Sequence, residues 1–297
     1  MEHEQVINVA IAAIVFVTMM VIGLDLSVED FVRLVRKPRP IFAGLLAPFL
    51  LAPAAMVAVK LVELPPELGA GVLLIAICPA GNIANLYTSV ARAHTALSIV
   101  LCVTSILLAF LTMPFWMKVY EQLFQSSLGF QIPTSVLFSR LSLFLILPVS
   151  LGMLVRSRFP RFERHCHTFL KRLTLLGVIC LGTYIILSDR KGFSEGFLST
   201  TLVAIVFTLL SMTLALVISK LMKLDRRDSI TLLLTTPVRN IAIAIAIAVT
   251  VLHQAEFAVL ATTMFMMQIP LLLSFSIFFR KKFPPIEDSS RSESGDT

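Results

Sequence analysis

Residues 78–85 read Cys78-Pro79-Ala80-Gly81-Asn82-Ile83-Ala84-Asn85, CPAGNIAN, and they interrupt the apolar run LGAGVLLIAI at 68–77. A proline, a glycine and two asparagines stand here where an apolar helix tolerates them least. Proline removes a helical hydrogen bond, clashes with the preceding turn and pushes the residue before it towards extended backbone. A second stretch, TTPVRNIAIA at 235–244, repeats the pattern Pro-x-x-Asn-Ile-Ala: Pro79 to Ala84 in the first copy, Pro237 to Ala242 in the second. Cys78 and Thr236 therefore mark expected helix breaks, and Asn82, Asn85 and Asn240 are suited to cap the half-helices that restart beyond them.

Composition sets the surroundings of these two stretches. Hydrophobic residues make up 57% of the 297 and charged ones 14%. The apolar residues come in long runs separated by short basic loops, the pattern of a polytopic α-helical membrane protein. A hydrocarbon crossing takes about 20 apolar residues. Nine stretches qualify: 6–26, 40–60, 67–91, 96–118, 136–156, 168–188, 197–220, 228–252 and 256–279.

Taken alternately, the loops divide by charge. One side collects the basic residues from Arg33 to Arg39, Arg92, Arg156 to Arg172, Lys220 to Arg227 and Arg280 to Lys282; the other holds Lys60, Lys118, Arg190 and Lys191. Positive residues accumulate in the cytoplasm, so the expected orientation in a plasma (inner) membrane has the N-terminus outside and the C-terminus inside, which an odd number of spans requires. The net charge of +7 follows from this bias and gives no reason to invoke nucleic acid.

Other features carry less. Residues 6–24 have no basic segment before them and no small-residue cleavage site after them, and read as a first span rather than a signal peptide. Cys78, Cys102, Cys166 and Cys180 are scattered, which argues against a disulfide framework. His165-Cys166-His167 lies among Arg161, Arg164, Lys171 and Arg172 and reads as a solvated basic loop. The tail at 281–297, with its Ser and acidic residues, reads as disordered. Nothing in the sequence implies a cofactor or a bound metal.

The two broken stretches fall in the third and eighth predicted spans. Five spans separate them, and an odd step reverses direction through the membrane, so the two halves of the chain form inverted repeats. Backbone freed at a break cannot face lipid, where each unsatisfied group costs several kcal/mol. Two breaks at matched positions point to a midplane binding site built from discontinuous helices.

The run CPAGNIANLYTSVARAHTALSIVLCVTS, with GLDLSVEDFVRL upstream and TTPVRNIAIAIA downstream, resembles the bile acid:sodium symporter family over about residues 10–280, in its nine-helix form. The resemblance implies an all-α polytopic fold with two crossed discontinuous helices, a panel domain (1–38 and 134–190; spans 1, 5 and 6) and a core domain (39–120 and 195–280; spans 2, 3, 4, 7, 8 and 9). It also implies alternating access, with a small organic anion, a carboxylate, bound beside the crossing. Carried over position by position, the family's sodium-binding positions become Pro48, Ala84, Asn85, Ser98, Cys102, Thr235 and Arg239, of which Asn85 and Ser98 keep the family's residue type. Asn82 and Gln268 match substrate-facing positions. Pro79, Gly81 and Pro237 match the helix breaks.

The residues themselves say the same about sodium. No Asp or Glu lies between 68 and 120 or between 229 and 255, and a hard cation wants several oxygens, so the substituted site is a poor one for sodium. Arg239 costs about 2.5–3.5 kcal/mol at mid-membrane and should face a polar cavity. Two readings of it stand side by side. In one the guanidinium replaces a bound sodium and, with Asn82, Asn85, Asn240 and Gln268, seats the anion; in the other it is tied to carbonyls freed at the crossing and never touches substrate. Tyr87, His94 and His253 are weaker candidates.

The expected function is therefore secondary transport of small organic anions, sodium-independent, by uniport or exchange. Sodium-coupled symport is the alternative. An intramembrane enzyme is disfavoured by the lack of HExxH, GxSxG or paired membrane aspartates, and a receptor would not need two broken spans.

Overall fold

Residues 2–25, 38–124, 134–188, 190–252 and 254–282 are described in a computed structural model. Their regular structure is helical. Twelve α-helices follow one another: α1 (Glu2–Asp25), α2 (Pro38–Leu61), α3 (Pro66–Ile77), α4 (Ile83–Val90), α5 (Thr95–Leu123), α6 (Thr134–Leu141), α7 (Leu147–Arg158), α8 (Pro160–Ser188), α9 (Arg190–Leu221), α10 (Arg226–Thr235), α11 (Ile241–Thr250) and α12 (Ala255–Arg280). A π-helical turn, Ser142–Ile146, joins α6 to α7 just before Pro148. Residues 26–37, the tail from 283 onward and His253 lie outside the described residues, so the readings of these segments are not addressed by the structure.

Among the described residues, five helical stretches are long and apolar enough to cross a membrane: Pro38–Leu61, Thr95–Leu123, Phe138–Arg158, Phe197–Leu221 and Glu256–Arg280. Val9–Asp25 and Leu68–Ile77 are apolar but shorter. The chain is an all-helical, polytopic membrane protein. Its exterior agrees with a lipid setting: Phe42 and Val57 on α2, Leu111 and Phe115 on α5, Leu202 and Val206 on α9 and Phe278 on α12 are large apolar side chains exposed at the surface. In the interior, hydroxyls of Thr104, Thr208, Ser211, Ser219, Thr263 and Ser276 bond to carbonyls four residues earlier on their own helices, which satisfies them without water.

The predicted spans 67–91 and 228–252 are each split in two, α3/α4 and α10/α11. They are also the most enclosed parts of the chain, with residues 69–81 and 230–248 buried without interruption. Non-helical backbone is tolerated at such depth when protein surrounds it. Around them, α3 packs on α2, α5 and α12; α10 on α5, α9 and α4; and α11 on α12 and α1. Helix α1 runs along α7 and α8. At its closest approach to α7, a Cβ built on Gly23 would meet the Val149 carbonyl oxygen at 2.2 Å, and one on Gly152 would meet the Met20 carbonyl oxygen at 2.2 Å. Only glycine lets the two backbones come this near.

Two expectations are corrected here. Residues 160–167, read as a basic loop, are the first turns of α8; a run of basic residues is compatible with helix. Thr236, expected to leave helical geometry ahead of Pro237, keeps it (φ −60°, ψ −43°), and its N–H still bonds the Leu232 carbonyl at 2.9 Å. Cys78 does break as expected, with φ −60° and ψ 147°.

Candidate functional site

The two breaks meet. Ala80 and Arg239 form an isolated antiparallel β-bridge, with the Gly81 N–H donating to the Val238 carbonyl (3.1 Å) and the Asn240 N–H to the Pro79 carbonyl (2.8 Å). Gly81 is required by this approach: a Cβ there would lie 2.8 Å from the Arg239 carbonyl oxygen. Prolines Pro48, Pro53, Pro114 and Pro270 stay inside continuous helices, so it is the pairing of one break with the other that gives the freed groups their partners.

The rest of the crossing is satisfied by side chains. The Ala80 N–H donates to Ser105 Oγ (2.9 Å). Gln268, 6% exposed, donates through Nε2 to the Pro237 carbonyl (3.0 Å) and to Thr208 Oγ1 (3.3 Å). Cys102 Sγ reaches the Gly81 carbonyl at 3.6 Å. Asn240 caps α11 by accepting from the Ile243 N–H at 3.3 Å. Asn82 holds the N-cap position of α4 without a capping bond, and Asn85, in the first turn of α4, meets the Ser98 and Cys102 side chains of α5.

Of the sodium-site positions, four converge. Thr235 Oγ1 donates to Ser98 Oγ (3.1 Å), Ser98 Oγ donates to Asn85 Oδ1 (2.8 Å), and Cys102 Sγ lies 3.9 Å from the same Asn85 oxygen. Ala84 is fully buried and offers no side-chain ligand. Pro48 sits apart, in the wall of a second cavity described below.

Arg239 is 4% exposed. Its Nη1 donates to the Cys78 carbonyl at 3.4 Å, while Nε and Nη2 have no partner. The arginine contributes to the walls of two cavities. The first, about 460 Å³, lies between α1, α8 and the crossing, with Asn82, Asn85, Asn240, Thr18 and Thr174 as its polar lining and Phe265, Leu86 and Ile22 among its apolar lining. Asp25 and Lys171 line the same cavity and bond to each other (2.9 Å), with His167 Nε2 2.7 Å from the same Asp25 oxygen. The second, about 370 Å³, lies between α2, α3 and α5.

Away from the crossing, His94, the N-cap of α5 just after α4, and Asp228 in the first turn of α10 tie the starts of these two helices together. His94 Nδ1 lies 2.5 Å from Asp228 Oδ1, and the His94 N–H donates to Thr231 Oγ1 at 3.0 Å. Asp225 caps α10 by accepting from the Asp228 N–H at 2.8 Å. Burial pushes the Asp225 carboxyl up, but the Asp228 N–H and the neighbouring His94 outweigh it and hold the group below its ordinary pKa. Tyr87 is buried.

Sequence reasoning missed Ser105, Thr208, Asp228 and the Asp25–His167–Lys171 group. Asp228 had a visible signal, being an acid at the start of a predicted span. Ser105 and Thr208 had none, since they differ from any other helix hydroxyl only in what they face.

These features define a class, a polytopic membrane protein in which two interrupted helices meet at the centre and a polar cavity opens beside them. Residues 12–195 match the Sodium Bile acid symporter family, and the chain belongs to it. It is therefore a secondary transporter and not an enzyme. It is 25% identical over 231 residues to a Bacillus subtilis (strain 168) protein named uncharacterized sodium-dependent transporter YocS, covering 76% of this chain and 69% of that one. It is 24% identical over 237 residues to a protein of Arabidopsis thaliana named probable sodium/metabolite cotransporter BASS1, chloroplastic (78% of this chain, 57% of the relative), and 25% identical over 255 residues to the human P3 protein (82% and 52%). The chain thus spans little more than half the length of the plant and human relatives.

Proposed function

We propose that the chain carries small organic anions across a plasma (inner) membrane by alternating access, the anion seated in the cavity beside the crossing. The observation that carries this reading is the placement of Arg239. It is a permanently charged guanidinium, buried at the meeting of the two breaks and with two nitrogens free, in the wall of a cavity that also presents Asn82, Asn85 and Asn240. The nine spans, the inverted repeats and the division into a panel (1–38, 134–190) and a core (39–120, 195–280) belong to the same reading. It is supported by the packing of α1 along α7 and α8, by the repeated Pro-x-x-Asn-Ile-Ala motif and by the bridge between its two copies.

The coupling ion has two readings. The bacterial and plant relatives are named as sodium-dependent or sodium/metabolite transporters, which favours sodium-coupled symport over the sodium-independent transport expected from the sequence. The oxygens of Asn85, Ser98 and Thr235 would then contribute to the ion's shell together with backbone carbonyls. A specific observation favours the sodium-independent reading: those three oxygens are already bonded to one another, and a guanidinium lies at the crossing, where a second cation would be repelled.

Uptake of labelled acetate, succinate and benzoate into proteoliposomes, with sodium or choline outside, decides. Sodium coupling predicts at least a tenfold fall in choline; a fixed arginine cation predicts equal rates. No saturable uptake of any carboxylate under either condition contradicts the function itself. The double substitution Thr235→Glu with Arg239→Gln should impose sodium dependence if the fixed-cation reading holds.

A further inference from the structure

The second cavity is not needed for transport through the crevice. It lies between α2, α3 and α5, away from α1 and α8, and its mouth is formed by Phe42, Phe49 and Leu108, all exposed at the surface that a bilayer covers. Apart from Thr112 on α5, its lining is apolar except at the inner end. There the cavity meets Arg239, the Cys78 carbonyl that Arg239 bonds, and Ser105, while Trp116, three turns further along α5, packs against Phe49 near the mouth (ring centroids 5.1 Å). Two buried nitrogens at this end lack partners, Nε and Nη2 of Arg239.

From this geometry we infer that the cavity is a binding site for a single-chain amphiphile with a carboxylate head, taken from the membrane, its tail along α2 and α5 and its head on Arg239. An unpaired buried cation is costly, and an entering anion relieves that cost. Charge excludes cationic amphiphiles, and the apolar mouth excludes free small anions. Depth excludes a phospholipid headgroup: Arg239 lies midway along the segment from Arg226 to Thr250, whereas a phospholipid keeps its phosphate at the interface. A carboxylic acid can pass apolar walls in its neutral form and ionise on meeting the guanidinium. The two nitrogens are covered in the structure, so the head reaches them by a rotamer change of Arg239. Such a ligand would compete for the same guanidinium that the crevice uses, and membrane fatty acid would then inhibit transport.

The chain has one tryptophan, and Trp116 lines this cavity. The test is quenching of its fluorescence by dibromostearate, with the full chain in phosphatidylcholine nanodiscs. Saturable quenching that unbrominated stearate displaces is expected. Dibromostearyl alcohol should give only the linear quenching of simple partition. Arg239→Gln should weaken the saturable phase at least tenfold. Leu45→Phe, which narrows the cavity without touching the crossing, should weaken it severalfold and guards against misfolding of the arginine variant. Equal quenching by acid and alcohol, an unchanged saturable phase in a folded Arg239→Gln or in Leu45→Phe, or no saturable phase because a second copy or a phospholipid covers the face, would each overturn the inference. The readout is binding alone, so it stands or falls independently of which anion the crevice carries.

Discussion

Gln268 shows how a single residue holds the crossing together. Its amide is the partner of the Pro237 carbonyl, which proline geometry at the break has stripped of its helical donor. A buried polar group left unsatisfied costs about 1–3 kcal/mol, so Gln268→Leu should lower the thermal unfolding midpoint measurably; an unchanged midpoint would mean another donor serves Pro237. The cap at Asn240 makes a parallel case. Asn240→Ala should cost about 0.5–2 kcal/mol and Asn240→Ser much less, again read from unfolding midpoints. Arg239 differs from both, because only one of its three nitrogens has a partner. A purely structural arginine would be expected to spend more of them on the carbonyls around it.

At the scale of elements, the question is why two segments of ordinary span length fold as four short helices. The answer was largely legible in the sequence, because Pro79 and Pro237 head matching motifs at matched distances. What could not be read is that four other prolines leave their helices unbroken while these two do not; the difference lies in the β-bridge that one break offers the other. Gly81→Ala tests the bridge directly. Its Cβ would press on a backbone oxygen at 2.8 Å, which no side-chain rotation relieves, and folded yield should fall sharply compared with Gly69→Ala, where the crowding atom is a side-chain methyl. The start of α10 adds a pH dependence. The Asp225 carboxyl lies below its ordinary pKa when folded, so its contribution is present above the normal carboxylate range and is lost as the pH falls through the lower folded value. Asp225→Asn keeps the cap without the charge and should flatten the acid limb of a plot of unfolding midpoint against pH. The basic start of α8 was misread as a loop because charge reports exposure to water and is silent on backbone geometry.

For the molecule as a whole, the near-contact of α1 and α7 binds the first segment of the chain to one far along it. With backbone oxygens 2.2 Å from a Cβ placed on Gly23 or Gly152, Gly23→Val should force the helices apart, and we expect loss of monodisperse protein in detergent; normal folding would mean the two helices are free to slide. This pair belongs to the proposed panel, and the crossing to the proposed core. The cavity proposed for the anion has walls from both, α1 and α8 on one side, the two breaks on the other. The repeated motif pointed to a site built from two broken helices, whereas the panel, the core and the crevice between them were expected only from the family resemblance. Which side chains turn into the cavity was not legible, because in apolar helices the inward and outward faces carry the same residues.

The account depends on Arg239 as the cation that receives the anion, and the most direct measurement is saturable carboxylate uptake by Arg239→Gln and Arg239→Lys in proteoliposomes with no sodium gradient. Loss of at least tenfold in kcat/KM for Gln, with partial recovery for Lys and both proteins folded, is the predicted result. Uptake by the glutamine variant at the wild-type rate would contradict it.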